Sequence, residues 1–327
     1  MGGGRPGSLA ALGMTAGNDC AYEWRAPGAL RSGRQRQMIT RTAPAKVNLY
    51  LRVVGQRADG YHLLDTLVGF VTLADRVVAE EADALSLEVD GPFAPALAGE
   101  PQDGNLVLRA AHALAAALEI APRASLRLTK NIPVAAGLGG GSADAAAALR
   151  ALLAVWRAEV PEARLRGIAA GLGADVPVCL TGRTASVSGI GDIIGQAPEL
   201  PACGLVLVHP DVPLPTASVF RAAAARRGAT PFSEPLPLMR GVRAVGDLAQ
   251  ALATRGNDLT EAARSLVPEI GTMLALLRAT PGCRYAAMSG SGATCFALYD
   301  DMPTAEAARL QVEESRPFWW TYAGSLI

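Results

Sequence analysis

Residues 133–156 read PVAAGLGGGSADAAAALRALLAVW, a glycine-rich segment followed at once by an alanine-rich one. The alanine-rich part predicts a helix over residues 139–156, so the glycines stand at its start. Glycine lets the backbone approach a ligand closely, and the free N–H groups at a helix start attract phosphate. The segment therefore predicts a phosphate-binding loop, in which the hydroxyl of Ser142 could bind phosphate or Mg²⁺.

Two well-known glycine-rich phosphate-binding motifs do not match this segment. A Walker P-loop requires Gly-Lys-Ser/Thr at a fixed spacing, and that sequence does not follow here. The spacing of the glycines also differs from the GxGxxG motif of a dinucleotide-binding fold. From the residues alone, the alternative that stays open is a flexible glycine turn before a helix.

Composition limits the class of protein. Half of the 327 residues are apolar, and 30 basic residues balance 30 acidic ones, so we expect a globular protein without a nucleic-acid partner. No apolar run is long enough for a membrane span, so we expect no membrane partner. Five scattered cysteines without a CxxC pair, and three dispersed histidines, indicate reduced thiols, no structural zinc and a cytoplasmic protein.

The patterning along the chain predicts an α+β fold. Strands are expected over residues 39–54, 61–80, 84–90, 125–130, 183–188, 204–208, 284–288 and 294–299. Helices are expected over 105–119, 139–156, 163–172, from about 216, and over 244–254, 267–279 and 304–314. Residues 1–37 are rich in Gly and Arg without periodicity, and are interpreted as a disordered extension or an over-extended start before Met38. We divide the remainder into an N-terminal domain, 38–185, which contains the predicted phosphate-binding loop, and a C-terminal domain, 186–327.

Lysine is rare in this chain. Lys46 and Lys130 are the only two, and every other basic residue is arginine. A compact ammonium differs from a planar guanidinium, so both lysines are candidates for specific roles. The alternative is that they are two ordinary surface lysines.

The glycine-rich segment resembles the second motif of the GHMP kinases, the superfamily of galactokinase, homoserine kinase, mevalonate kinase and phosphomevalonate kinase. APAKVNL at residues 43–49 resembles the first motif of that superfamily, and MSGSGATCF at 288–296 the third. The resemblance implies a two-domain α+β fold with the active site in the cleft between the domains. It also implies ATP and Mg²⁺ as cofactors, with the N-terminal domain, 38–185, as the ATP-binding domain.

Further segments resemble one branch of that superfamily, the 4-diphosphocytidyl-2-C-methyl-D-erythritol kinases. These are GQRADGYH at 55–62 and LGADVPV at 172–178. The resemblance implies ATP-dependent phosphorylation of the 2-hydroxyl of a cytidine-diphospho sugar alcohol, in non-mevalonate isoprenoid precursor biosynthesis. We expect a monomer or a weak homodimer.

The resemblance also implies residue roles. Asp175 matches the base that takes the proton of the attacking hydroxyl, and Lys46 matches the cation that stabilises charge on Asp175 and on the transferred group. Asn48 is expected to contact substrate or orient Asp175. The remaining roles are a cytidine pocket of Tyr61, His62 and Phe220; an ATP site of Asn105, Lys130, Pro133, Val134, Ala135, Ala136, Gly137, Leu138, Gly139, Gly140, Gly141 and Ser142; and a second phosphate loop of Gly290, Ser291 and Gly292.

Several alternatives accompany these roles. Asp175 could be a helix cap, and Tyr61 and Phe220 could be core aromatics. Asp144 stands where many relatives carry another polar residue, and could recruit Mg²⁺ or favour the first helical turn. No glutamate matches the metal ligand of other superfamily members, so no metal ligand is assigned.

The sequence allows three rival functions. They are a homoserine or mevalonate-route kinase, a non-catalytic nucleotide-binding module, and an RNA-binding protein using the arginine-rich start. The segments 55–62 and 172–178 disfavour the first, and Lys46 together with Asp175 disfavours the second. The neutral body without interleaved aromatic residues disfavours the third.

Overall fold

Two long paired strands lie at the centre of the fold. In the computed structural model, which describes residues 37–99 and 101–327, β1 (Ile39–Gln56) pairs antiparallel with β2 (His62–Glu80) along its whole length. The ladder shifts register between Pro44 and Lys46, where proline has no N–H to donate. Residues 1–36 of the predicted extension lie outside the described part of the chain.

The first sheet is built on β2. It contains β3 (Ser86–Asp90), β4 (Ser125–Thr129), β5 (Ala185–Gly189) and β6 (Ile193–Gly195), in the order β3-β4-β2-β5-β6, with β1 also paired to β2. The β3–β4 pair is parallel, and the other pairs in this sheet are antiparallel. Every predicted strand in this region is confirmed, and β6 is an addition.

Helices pack on this sheet. After two short 3₁₀ turns (Ala94–Leu97 and Gln102–Gly104), they are α1 (Leu106–Leu118), α2 (Gly140–Val155), α3 (Glu162–Leu172) and α4 (Val176–Thr181). The side chain of Asn105 caps α1 by accepting a 2.9 Å bond from the N–H of Val107. Helix α2 is buried on nearly all sides against β1, β2 and α1, because its alanines allow close approach.

The second half of the chain forms another layered unit. Its sheet contains β7 (Gly204–His209), β8 (Tyr285–Met288), β9 (Cys295–Tyr299) and β10 (Trp320–Ser325) in the antiparallel order β10-β7-β9-β8. Its helices are α5 (Thr216–Arg227), α6 (Val245–Ala253), α7 (Thr260–Leu266), α8 (Glu269–Ala279) and α9 (Met302–Ser315). The sequence patterns did not predict α4, α7 or β10.

The two halves share strand β1. Leu51 and Val53 lie in the hydrophobic core of the second half, and Leu51 forms a β-bridge with Asn257. The division at 185/186 remains a prediction, but β5 crosses it and β6 still belongs to the first sheet.

Two simple features complete the fold. Among the described residues, no helix combines the length and apolarity needed to cross a membrane. Cys179, Cys203, Cys283 and Cys295 are free thiols.

Candidate active site

The glycine-rich loop lies between Lys46 and a second glycine-containing loop. Gly137 and Gly139 have positive φ angles of 77° and 65°. A Cβ on Gly137 would lie 2.6 Å from the carbonyl oxygen of Gly292, and one on Gly139 would lie 2.7 Å from Cγ of Lys46. Both positions therefore require glycine for backbone conformation and for space.

The second loop, Ser289–Gly292, packs directly on the first. The N–H of Asn48 donates to the hydroxyl of Ser289 at 3.2 Å, and Thr294 Oγ1 donates to the carbonyl of Ala136 at 2.5 Å. The predicted residues Gly290 and Ser291 line the same cavity as Lys46. The structure thus brings together three segments that are far apart in sequence.

Lys46 and Asp175 form an ion pair in this region. The Lys46 N–H donates to Leu138 O at 2.9 Å, which fixes the strand beside the loop, and its Nζ lies 3.2 Å from Oδ2 of Asp175. The Lys46 side chain is 7 % exposed, whereas that of Asp175 is 44 % exposed. Asp175 precedes α4 but makes no side-chain cap, so its carboxylate is available to Lys46 and to a ligand.

Asn48 holds the lysine through a buried chain of hydrogen bonds. Lys46 Nζ donates to Asn48 Oδ1 at 2.7 Å, and Asn48 Nδ2 donates to Thr66 Oγ1 at 3.0 Å. The Thr66 hydroxyl in turn donates to the carbonyl of Tyr50. Thr66 was not singled out from the sequence, although a hydroxyl within the apolar run of β2 was an available indication.

A large cavity opens beside Asp175. Its volume is about 900 Å³, and its lining includes Lys46, Asn48, Tyr61, His62, Ser142, Asp175, Phe220, Gly290 and Ser291. We call it the acceptor cavity. It brings the predicted catalytic residues and the three predicted aromatic-pocket residues to one space.

The aromatic end of the acceptor cavity contains a direct contact between two rings. The rings of His62 and Phe220 stack directly, with centroids 4.8 Å apart and planes at 27°, so a base cannot lie between them. Tyr61 is 62 % exposed, which excludes the alternative that it is a core aromatic. Burial, together with the charge of Arg227, lowers the pKa of His62, which favours a neutral imidazole.

A second cavity, of about 360 Å³, lies on the other side of the glycine-rich loop. We call it the loop cavity. All the residues predicted to bind ATP line it, namely Asn105, Lys130 and residues 133–142. Gly137, Gly139 and Ser142 line both cavities, so the two spaces meet at the loop.

Lys130 lies in the floor of the loop cavity with its charge already paired. The side chain is 3 % exposed, and Nζ donates to Asp75 and, at 2.8 Å, to Oδ2 of Asp144. Asp75 also accepts from the N–H of Asn131 and of Ile132. The ATP contact expected for Lys130 remains a prediction, and the observed ion pairs give its ammonium a structural role.

The two buried groups perturb each other's titration. Burial raises the pKa of Asp144 well above its usual value, and the nearby charge of Asp75 adds to this, against the opposing effect of Lys130. Burial alone would lower the pKa of Lys130, but the charges of Asp144 and Asp75 raise it. The pairing with Lys130 accounts for the additional carboxylate at position 144.

Asn257 holds the second loop from behind and was also missed. Its Nδ2 donates to the carbonyls of Met288 and Gly290, both at 2.8 Å, while its Oδ1 accepts from the N–H of Leu259. The amide therefore fixes both the entry and the centre of the loop. The adjacent Asp258, whose carboxylate accepts from the N–H of Val53, ties the same turn to β1.

A preformed metal cage is not part of this arrangement. Within residues 37–99 and 101–327, no group of three or more His, Cys, Asp or Glu side chains is placed to hold a metal ion. Magnesium commonly binds through one or two protein oxygens plus substrate phosphates, so the site is compatible with a metal that arrives with a nucleotide.

Comparison with known proteins shows which family has this fold. Residues 105–183 match the model of the GHMP kinases N terminal domain, and residues 238–316 match that of the GHMP kinases C terminal domain. The described fold is similar to that of a crystal structure of L. major mevalonate kinase in complex with R-mevalonate, with a TM-score of 0.66 at 14 % identity over 90 % of this chain and 98 % of that one.

Relatives with higher sequence identity identify the family within the GHMP kinases. The chain is 49 % identical to the 4-diphosphocytidyl-2-C-methyl-D-erythritol kinase of Paramagnetospirillum magneticum, over 87 % of this chain and 97 % of that one. It is 51 % identical to that of Parvibaculum lavamentivorans, over 86 % and 96 %. A crystal structure of 4-(cytidine 5'-diphospho)-2C-methyl-D-erythritol kinase, 37 % identical, superposes with a TM-score of 0.71 over 88 % of this chain and 99 % of that one. The chain belongs to the GHMP kinases, in the family of the 4-diphosphocytidyl-2-C-methyl-D-erythritol kinases.

Proposed function

We propose that this protein transfers the γ-phosphoryl group of ATP to the 2-hydroxyl of 4-diphosphocytidyl-2-C-methyl-D-erythritol, in non-mevalonate isoprenoid precursor biosynthesis. The observation that carries the proposal is the Lys46–Asp175 pair, 3.2 Å apart, at the place where the acceptor cavity meets the glycine-rich loop. The names of the relatives give the substrate its identity.

The proposed chemistry uses both members of the pair. The carboxylate of Asp175 takes the proton of the acceptor hydroxyl, whose oxygen forms a bond to the γ-phosphorus of ATP. The bond between that phosphorus and the β,γ-bridging oxygen breaks, and ADP leaves. The ammonium of Lys46 stabilises the negative charge of the transferred group. Asn48 orients that ammonium through its side-chain oxygen.

Nucleotide binding is assigned to the loop cavity. The N–H groups at the start of α2 and the glycine-rich loop hold the phosphates of ATP, and the base lies toward Asn105. Mg²⁺ would neutralise phosphate charge when bound, with the Ser142 hydroxyl as its candidate protein ligand. Ser142 is suited to this because it lines both cavities.

The proposal extends to setting and assembly. Both cavities and both glycine loops are formed within one chain, so a monomer suffices and a weak homodimer is compatible. We propose a cytoplasmic location, where ATP and a nucleotide-linked acceptor are both present.

A coupled assay of ADP release tests the proposed function. Purified enzyme with ATP and Mg²⁺ is given the cytidine-diphospho alcohol, homoserine or mevalonate as acceptor. We expect turnover with the first acceptor and none above background with the other two. If homoserine or mevalonate were turned over as fast as the cytidine-diphospho alcohol, or faster, the enzyme would be a kinase of that other acceptor.

A further inference from the structure

Helix α5 presents one face to the acceptor cavity. The lining residues on this helix are Thr216, Ala217, Phe220, Arg221 and Ala224. Their spacing of one, three, one and three residues places them along a single stripe of an α-helix. Arg221 is the charged residue of this stripe.

The two ends of the stripe have different neighbours. Thr216 Oγ1 lies 2.9 Å from Oγ of Ser291 in the second loop. Phe220, about 6 Å further along the helix axis at 1.5 Å per residue, stacks on His62. A ligand that extends from the loop junction to the aromatic end therefore runs alongside α5.

Most charges around the acceptor cavity are paired. Lys46 pairs with Asp175 at 3.2 Å, and Asp59 pairs with Arg57 at 2.6 Å. These pairs leave little net positive charge for an anionic ligand.

Arg221 differs from these paired residues. Its Nη2 donates to the neutral hydroxyl of Ser218 at 3.2 Å. Of the residues described for this cavity, it is the one lysine or arginine with no carboxylate within ion-pair distance. A guanidinium in this state retains donors that can bind phosphate oxygens in a bidentate manner.

We propose that Arg221 binds the diphosphate group of the acceptor and so selects nucleoside-diphosphate-linked alcohols over free alcohols. This inference rests on the proposed function, because it assumes that the acceptor carries a diphosphate between its alcohol and its base. ATP is the other source of phosphate. The acceptor is favoured because Arg221 does not line the loop cavity.

The test compares two ligands and two variants in the full-length protein. Binding of cytidine 5'-diphosphate and of cytidine is measured by calorimetry for the wild type, Arg221→Ala and Arg226→Ala. Arg226 is a matched control, since it is an exposed arginine on the same helix that lines a neighbouring pocket but not the acceptor cavity.

We expect Arg221→Ala to weaken cytidine 5'-diphosphate about tenfold, the lower end for a charge-assisted hydrogen bond, because the arginine is exposed and screened by solvent. Cytidine binding should be unchanged, and Arg226→Ala should match the wild type for both ligands. In steady-state kinetics, Arg221→Ala should raise KM for the acceptor about tenfold and leave KM for ATP unchanged.

Two results would overturn the inference. One is equal affinity of Arg221→Ala and wild type for cytidine 5'-diphosphate, and the other is an equal loss for cytidine, which would indicate a damaged base pocket. Wild-type turnover of the cytidine-diphospho alcohol tests the proposed function separately. If the wild type turns it over while Arg221→Ala behaves normally, the inference alone fails. If the wild type neither turns it over nor binds cytidine 5'-diphosphate, both fail.

Discussion

The two lysines of the chain lie on either side of the same glycine-rich loop, yet their surroundings differ. Lys46 faces Asp175, whose side chain is 44 % exposed and lines the acceptor cavity. Lys130 faces Asp75 and Asp144, and all three of these side chains are buried. The Lys46–Asp175 pair is therefore accessible to a substrate in the acceptor cavity, whereas the ammonium of Lys130 is almost fully buried.

This difference separates a catalytic candidate from a structural one. Lys130 follows β4, and it joins Asp75 on β2 to Asp144 on α2, so its ion pairs connect three elements beneath the loop. Lys46 contacts Asp175 and Asn48, which line the cavity where a phosphoryl acceptor would bind. Losing Lys130 should therefore reduce stability, whereas losing Lys46, or its partner Asp175, should reduce turnover.

The largest expected effect is that of Asp175→Asn on turnover. An amide cannot accept the hydroxyl proton, and loss of a general base costs about 10²–10⁴ in rate. Steady-state kinetics with ATP and the cytidine-diphospho alcohol should show kcat lower by this factor. Affinity for ATP should stay within a few-fold, because Asp175 does not line the loop cavity to which we assign the phosphates, and the circular dichroism spectrum should be that of wild type. Retention of more than about a tenth of kcat would show that Asp175 is not the base.

Lys130→Met should have the opposite signature. It leaves two buried carboxylates without their cation, and removal of one member of a buried pair typically costs about 3–5 kcal/mol. Urea unfolding at pH 7 should show a loss of this size in the free energy of unfolding.

Asp144→Asn is the matched control for that variant. It leaves the Lys130–Asp75 pair balanced, and it removes a carboxylate whose ionised form burial disfavours, since burial raises its pKa. We expect a cost below about 1 kcal/mol, within the range of ordinary hydrogen-bond changes. If Asp144→Asn destabilised the fold as much as Lys130→Met, the ion triad would not be held by the balance of charge that we describe.

The contrast between the lysines also shows what a sequence can reveal. Glycine spacing, an asparagine cap and period-two strands were sufficient for β1 to β4, α1 and α2, because these features act locally. The partners of Lys130 were not predicted, since Asp75 is 55 residues away and Asp144 is 14 residues away. Their meeting depends on how sheet and helix pack.

Other omissions have the same physical origin. Asn257 and Thr66 matter through bonds to segments distant in sequence, namely the second loop and Asn48. The elements that were missed, α4, α7, β6 and β10, are short, with three to seven residues each. Elements this short carry little periodicity, and although strands of similar length such as β3, β4 and β8 were predicted, these four elements were not distinguished from loops.

Lys46→Arg should sharpen the comparison within the active site. The lysine stem packs so closely on the loop that a Cβ at Gly139 would lie 2.7 Å from its Cγ and 3.0 Å from its Cε. A planar guanidinium cannot occupy that space and also meet Asp175 as a compact ammonium does. We expect kcat to fall about 10²-fold, as for loss of one transition-state donor, with the free energy of unfolding changed much less than in Lys130→Met. Near-normal kcat in Lys46→Arg would show that charge alone, without shape, is sufficient at this position.

The smallest expected effect on turnover concerns Thr66, which contacts Lys46 through Asn48. The threonine hydroxyl accepts from Asn48 Nδ2 at 3.0 Å and donates to the Tyr50 carbonyl, so it fixes which end of the Asn48 amide faces Lys46. Thr66→Val keeps the shape and removes the hydroxyl, which leaves Nδ2 unpaired at a cost of about 1–3 kcal/mol and permits the amide to turn its donors toward the ammonium.

Thr66→Ser separates positioning from packing, because it keeps the hydroxyl and loses the methyl group. If Thr66 positions Asn48, Thr66→Val should lower kcat about tenfold, the effect of roughly 1.4 kcal/mol, while KM for ATP is unchanged. Thr66→Ser should then recover most of kcat even though it creates a small cavity in the buried strand. If the methyl group matters instead, the valine variant should keep full activity and the serine variant should lose stability. Steady-state kinetics and urea unfolding of the two variants decide between these outcomes, because a purely structural threonine predicts changes in unfolding that track volume and not the hydroxyl.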